Sequence, residues 1–286
     1  MIPVVVGSNP ISHPKSLLPT FLCLSALECV LVPRHQRDAT LSATYVPMSD
    51  LESSTSDGVV TLLLRRPDKA NALSSSLVED LHGALETALG HAPGLLVLRG
   101  DGRNFCAGFD FTGFEDLADA ELAWRFVRIE QLLQRLSHAP CATLALAQGG
   151  CFGAGADLVV ACSTRVATPE ARFRMPGWRF GLALGTRRLA RCVGAASAMR
   201  LLEEAAVADA ATALKLGLIQ EICSADAWQF RIAKVRASAG MLDADARLRL
   251  TRILTTDTRA VDMASLIESM SAGDLKSRIR RFRSAP

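Results

Sequence analysis

QGGCFGAGADLVVAC, running from Gln148 to Cys162, is the stretch on which the reading of this chain turns. The apolar segment Ala142 to Ala147 before it has the character of a strand, and the residues after Gly155 form an apolar run ending at Cys162. The order is strand, tight turn and buried helix. Gly149, Gly150, Gly153 and Gly155 remove side chains where the backbone must turn sharply and can come within hydrogen-bonding distance of a ligand. The first amides of the helix would be unpaired, with the positive end of the helix dipole behind them, so the site favours a negative oxygen. Asp157 falls in the first turn, where a carboxylate is also favoured for capping reasons alone. A packed glycine turn with a stabilising Asp accounts for this stretch as well as a ligand site does.

The chain has 286 residues, long enough for one large domain or two small ones. Its composition, 49% apolar and 21% charged, is that of an ordinary globular protein. A formal charge of +3 gives no argument for nucleic acid, and the basic residues near the end, Lys276 to Arg283, fit a solvated helix face. The 8 cysteines include no CxxC pair and no His at ligand spacing, so buried thiols in a reducing compartment are expected, with no disulfide framework and no metal. No histidine lies inside the glycine-rich core, which argues against a Ser-His or Cys-His nucleophile.

Residues 1–47 differ in character from the rest of the chain. Leu17 to Val32 faintly suggests a signal peptide, but Pro19 and Glu28 interrupt it and further prolines surround it. The expectation is a non-native or disordered extension, with Met48 as the natural start. From Gly58 onward the periodicity is regular. Val59 to Leu64 reads as a strand, Ser76-Leu77-Val78-Glu79 as a capping box opening a helix, and Gly94 to Arg99 as a second strand. Leu122, Phe126, Ile129, Leu133 and Leu136 mark one face of another helix, stopped by Pro140, and Cys141 to Ala147 is the next strand. Val166 to Phe173 holds short strands, Arg187 to Cys192 and Ala210 to Leu216 read as helices, Leu218 to Cys223 as a last strand, and the chain is helical after Asp226. The fold class is α/β, a mixed core with a helical tail.

A second glycine-bearing loop, Phe105-Cys-Ala-Gly-Phe-Asp110, follows the strand Gly94 to Arg99, so its amides lie at the carboxyl end of a strand, as do those of Gly153 to Gly155. Two amides from separate loops at one sheet edge can converge on a single oxygen. Such a pair would polarise a carbonyl and stabilise an enolate or a tetrahedral oxyanion, each donor being worth roughly 3–4 kcal/mol.

With these pieces in place the chain resembles the crotonase, or enoyl-CoA hydratase/isomerase, superfamily. The matching segments are Arg66-Pro-Asp-Lys-Ala-Asn-Ala-Leu73, Phe105 to Asp110, Gly149 to Asp157 and Ala213-Leu-Lys-Leu-Gly-Leu-Ile219, in the family's order. The resemblance implies a spiral of ββα units over residues 48–225 carrying the acyl-CoA site, a helical oligomerisation region over 226–286, and a homotrimer or homohexamer in the cytoplasm. It implies an acyl-CoA thioester substrate of fatty acid metabolism, no cofactor beyond the coenzyme A moiety, and no nucleic-acid or membrane partner. By position, the oxyanion-hole amides would be those of Phe109 and Ala154, and Asp157 the acid/base residue. Lys69, Ala70, Ala72 and Leu73, with the backbone of Ala107, Gly108 and Phe109, would line the coenzyme A, Lys69 near its phosphates. Asp110 would hold its loop by local hydrogen bonds.

Two departures shape the expected reaction. Family hydratases pair two glutamates; the first falls at Asp157, one methylene shorter, and the second at Gly177 in Phe173-Arg-Met-Pro-Gly-Trp178, where no proton can be moved. The loop Gly181 to Thr186 is also about three residues shorter than is usual for the resemblance, and Arg174, Trp178 and Arg179 stand near enough to reshape a pocket. Isomerisation needs one proton-shuttling group, so it is expected over two-carboxylate hydration. A decarboxylase acting on a coenzyme A or carrier-protein thioester is an alternative, with Leu275 to Ile279 a weak likeness to that subgroup. A catalytically degenerate acyl-CoA-binding protein is another.

Overall fold

The structure, a computed structural model, describes residues 50–284. The expectations for residues 1–47 lie outside the described residues. The strands are β1 (Leu51–Ser56), β2 (Val59–Leu64), β3 (Leu95–Gly100), β4 (Ala142–Ala147), β5 (Gly150–Phe152), β6 (Thr164–Ala167), β7 (Arg172–Arg174), β8 (Ala208–Asp209) and β9 (Glu221–Ile222). The first six helices are α1 (Ser75–Gly90), α2 (Asp119–Ser137), α3 (Ala154–Ala161), α4 (Thr186–Val193), α5 (Ala195–Glu204) and α6 (Ala210–Leu216). Four more close the chain: α7 (Trp228–Ala239), α8 (Ala244–Leu254), α9 (Arg259–Ser271) and α10 (Leu275–Ser284). No helix among the described residues is long and apolar enough to cross a membrane.

One sheet runs β1-β2-β3-β4-β6-β9; β1 pairs antiparallel with β2 and the rest are parallel. Parallel strands buried on both faces need apolar runs, as in Leu95 to Leu98 and Ala142 to Ala147, where the one polar side chain, Thr143, is buried with Ser163 as its hydrogen-bond partner. Alternate residues still divide between two cores. Leu96 and Leu98 face α1 and α2, while Leu95, Val97, Leu144 and Leu146 pack on the other side against Trp228 and Ala239 of α7.

A smaller sheet, β5-β7-β8, forms a second layer. The chain visits the large sheet, then the small one, then a helix: β4-β5-α3 is one such unit, and β6-β7 leads through a one-turn helix at Gly177–Phe180 into α4. Earlier turns of the spiral have their second strand reduced to single bridges, Leu73 beside Phe109 and Cys106 beside Cys151. The second layer therefore stacks residue 73, residues 106–109 and β5 in sequence.

Several local expectations change. The turn after β4 is no simple turn, because Gly150 to Phe152 pairs with Arg172 to Arg174 as a short strand before the helix begins. The cap of α1 is Ser74, whose Oγ accepts from the Leu77 amide at 3.2 Å, two residues ahead of the expected box. Three consecutive serines made the position ambiguous, and burial of Leu77, Val78, Leu81 and Leu85 decided it. The polar hairpin strand β1 and the helix α5 carried no strong periodic signal. β9 is only Glu221–Ile222, a fraction of the expected strand.

Candidate active site

The two glycine loops meet because the second layer stacks them. Cys106 N donates to Gly150 O at 3.1 Å and Phe152 N to Cys106 O at 2.9 Å. On its other side the same loop is tied to the 69–73 turn: Leu73 N donates to Gly108 O at 2.7 Å, Asp110 N to Leu73 O at 3.1 Å and Ala107 N to Ala70 O at 2.9 Å. In a parallel bridge of this kind the flanking residues take both hydrogen bonds, so the amide of Phe109 itself points away from Leu73. No described residue accepts a hydrogen bond from it, nor from the Ala154 amide at the start of α3.

Gly108 permits the approach. Its φ is +88°, and a Cβ there would stand 2.4 Å from Phe152 O and 3.2 Å from Ala154 N. Only a residue without a side chain lets these backbones touch. Phe109, Ala154, Asp157 and Ala107 then line one cavity of about 70 Å³. Its remaining wall is apolar and largely aromatic, with Phe111, Phe126, Phe152, Phe180 and Phe282 among its members. The ring of Phe109 stacks on Phe126 at 4.3 Å between centroids, which orients the loop as well as covering the pocket.

Asp157 is the only ionisable side chain lining this cavity among the described residues. It is 6% exposed and accepts no hydrogen bond from a described residue. Burial pushes its carboxyl up to about 8, against the pull of the Arg188 guanidinium and with a small push from Glu130. Both of those side chains are themselves buried. Arg188 of α4 pairs with Glu130 of α2 and, at 3.4 Å, with Asp262 of α9, and its Nε has no partner among the described residues. Gly185, at φ +66°, lies against the carboxylate so closely that a Cβ would fall 1.9 Å from Asp157 Oδ1. A side chain at position 185 would therefore displace the carboxylate.

The other anticipated residues sort by position. Ala70, Ala72 and Leu73 form the turn that flanks the Phe109 loop and do not line the cavity, and Lys69 is exposed at the end of a one-turn helix, Pro67–Lys69. Asn71 organises that turn: its Oδ1 accepts from Arg66 N at 2.8 Å while Nδ2 donates to Asp101 O and Asn104 O. Asp110 accepts from Thr112 N at 3.0 Å and pairs with Arg66 at 3.1 Å; burial raises its pKa, but these contacts outweigh that and hold the carboxyl below its ordinary value. Arg174 is turned outward to Ala205 O, and neither it nor Arg179 reaches the cavity, whereas Trp178 does. Burial pushes the Cys106 thiol, beneath the loop, up to about 12, so it is no nucleophile.

A sequence model described as enoyl-CoA hydratase/isomerase matches residues 54–271. The chain belongs to that family. A crystal structure named as an enoyl-CoA hydratase/isomerase from Bordetella parapertussis is 43% identical, covering 83% of this chain and 99% of its own, with a TM-score of 0.81. The "Probable enoyl-CoA hydratase echA6" of Mycobacterium tuberculosis is 35% identical over 63% of this chain and 74% of its own length. The "Enoyl-CoA isomerase/hydratase fer4" of Mycosarcoma maydis is 28% identical over 77% and 82%. The fold is thus that of the crotonases, as the motifs implied.

The cavity of this chain has one acid among the described residues. Gly177 lines it where the resemblance would place a second glutamate, and a Cβ there would lie 3.1 Å from Leu182 O. Sequence reasoning missed Glu130 and Arg188. Glu130 follows Phe126 by one helical turn and so borders the apolar face of α2, which was the one available signal.

Proposed function

We propose that this protein is an acyl-CoA isomerase: it shifts the double bond of an enoyl thioester through an enolate. The observation that carries the reading is a single buried carboxyl, Asp157, in an apolar cavity beside two backbone amides without partners among the described residues, those of Phe109 and Ala154. The thioester oxygen accepts from both amides. Asp157, as carboxylate, removes a proton from the α carbon of a β,γ-unsaturated chain; the electron pair moves toward the thioester oxygen, and the dienolate takes the proton back from Asp157 at the γ carbon. One group serves both transfers, and atoms and charge balance without water.

The apolar, aromatic wall suits a compact hydrocarbon acyl group. The coenzyme A moiety, the only cofactor-like group required, would run along the Lys69 to Leu73 turn and the Ala107 to Phe109 backbone, with Lys69 near its phosphates. The protomers would associate as a homotrimer or a homohexamer in the cytoplasm.

The test is incubation with enoyl-, dienoyl- and carboxyacyl-CoA thioesters in heavy water, read by mass spectrometry. Deuterium at the α or γ carbon without gain of water supports the reading, and Asp157→Asn should lose it by at least about a thousandfold while thioester binding changes little. Addition of water would make the protein a hydratase, loss of carbon dioxide a decarboxylase, and saturable binding without turnover an acyl-CoA-binding protein.

A further inference from the structure

Behind the candidate active site lies a second cavity of about 560 Å³, eight times the volume of the first at about 70 Å³. Its wall combines small residues of the strap that follows the Gly177–Phe180 turn, Gly181, Ala183 and Gly185, with the charged side chains Arg187, Asp262, Glu268 and Arg278, the last three on the helices α9 and α10. The strap Gly181 to Gly185 separates the two spaces residue by residue. Gly181, Ala183 and Gly185 face the larger cavity, while Leu182 and Leu184 face the smaller. At Gly185 the wall is one backbone thick, since Asp157 touches its far side.

Trp178 is the one residue that lines both cavities among the described residues. Its indole Nε1 donates to Thr186 Oγ1 at 3.0 Å, which fixes the ring across the gap between the turn and the start of α4. The strap beside it is held as firmly. Leu182 N donates to Gly177 O at 2.9 Å, Ala183 N to Ser269 Oγ at 3.1 Å, and Arg278 to Phe180 O and Gly181 O at 3.2 and 3.0 Å.

We infer that Trp178 and the Gly181–Gly185 strap are a partition that sets the length of acyl chain the site accepts. The inference rests on the thioester reading of the first cavity. With the indole in place a chain extending past Asp157 meets a pinned ring and the leucines of the strap, so short acyl groups are selected. Without it the chain passes into the larger space along its small wall residues, Gly181, Ala183 and Ala272, with the charged side chains Arg187, Asp262, Glu268 and Arg278 around them. The five residues of the strap turn Leu182 and Leu184 toward the smaller cavity, and Trp178 is the bulky side chain that reaches both spaces.

The experiment is calorimetric binding of saturated straight-chain acyl-CoA thioesters, butanoyl to dodecanoyl, to the full chain and to Trp178→Ala. Saturated chains cannot react, so binding is read apart from chemistry. Each methylene that gains a place in the protein is worth about fourfold in affinity, so Trp178→Ala should raise the decanoyl-to-butanoyl affinity ratio by about tenfold or more over the wild type. Thr186→Val, which frees the ring without removing it, should move the ratio the same way by less. A ratio unchanged in Trp178→Ala, with butanoyl-CoA still bound, overturns the partition and leaves the thioester reading standing. A wild type that binds no thioester overturns that reading and this one with it. If Trp178→Ala does not melt cooperatively, Trp178→Leu carries the same comparison, with the same expected rise and the same overturning result.

Discussion

At the scale of the residue, the proposed isomerase places its chemistry on Asp157, whose burial would set when it can act. A carboxyl held at about 8 in the fold, against 3.8 for the free group, keeps a proton through the interval between those values that the unfolded chain gives up. Folding is then favoured less as pH rises through that window, because the ionised acid is the form the apolar cavity penalises. The same variant tests both consequences. The wild type should lose stability from pH 5 to about 8, whereas Asp157→Asn should show a flatter melting-temperature profile across the same range. Turnover that begins with the carboxylate should rise tenfold per pH unit below about 8 and level off above it; a rate independent of pH there would remove Asp157 as the base.

At the scale of the element, the site is braced by contacts among helices behind its wall, only one of which, α2 through Phe126, lines the cavity. α2, α4 and α9 are joined by the buried set Glu130, Arg188 and Asp262, with Thr258 donating to Asp262 at 2.7 Å and Arg187 pairing with it at 3.0 Å. Such a cluster adds little to stability relative to an apolar replacement, yet removing one member strands the other charge. Glu130→Ala should therefore cost about 3–5 kcal/mol in urea unfolding, and Glu130→Met with Arg188→Met together should cost much less than the sum of the single changes. Additive costs would mean the pair is not coupled. α10 has a comparable part within its own chain: Phe282 lines the cavity and packs on Phe180 at 5.2 Å, so the helical tail closes the site as well as lengthening the protein.

At the scale of the whole molecule, the helical region leaves large apolar side chains in solvent: Phe230 on α7, Met241 beyond it, and Ile253 and Leu254 at the end of α8, the last two 81% and 73% exposed. Surfaces of this kind are normally covered in an assembly. Light scattering of the wild type should give a multiple of three protomers, and Ile253→Asp with Leu254→Asp should shift it toward the monomer; a monomeric wild type would overturn the proposed assembly. Much of the architecture was legible in the chain alone. Apolar runs marked β2, β3 and β4, the 3.6-residue period marked α2, and Gly217 at φ +80° closed α6 as its position implied. Glycine spacing also located both loops and Asp157, because backbone contacts demand missing side chains and leave that demand in the sequence. What the sequence by itself determined was the fold, the family and the single carboxyl. Only the tertiary structure decided that the acid stands alone among the described residues of an aromatic cavity, that Glu130 and Arg188 reach it electrostatically, and that Trp178 lines two chambers. Those facts arise between elements distant in the chain, where no local period or propensity records which side chains will meet.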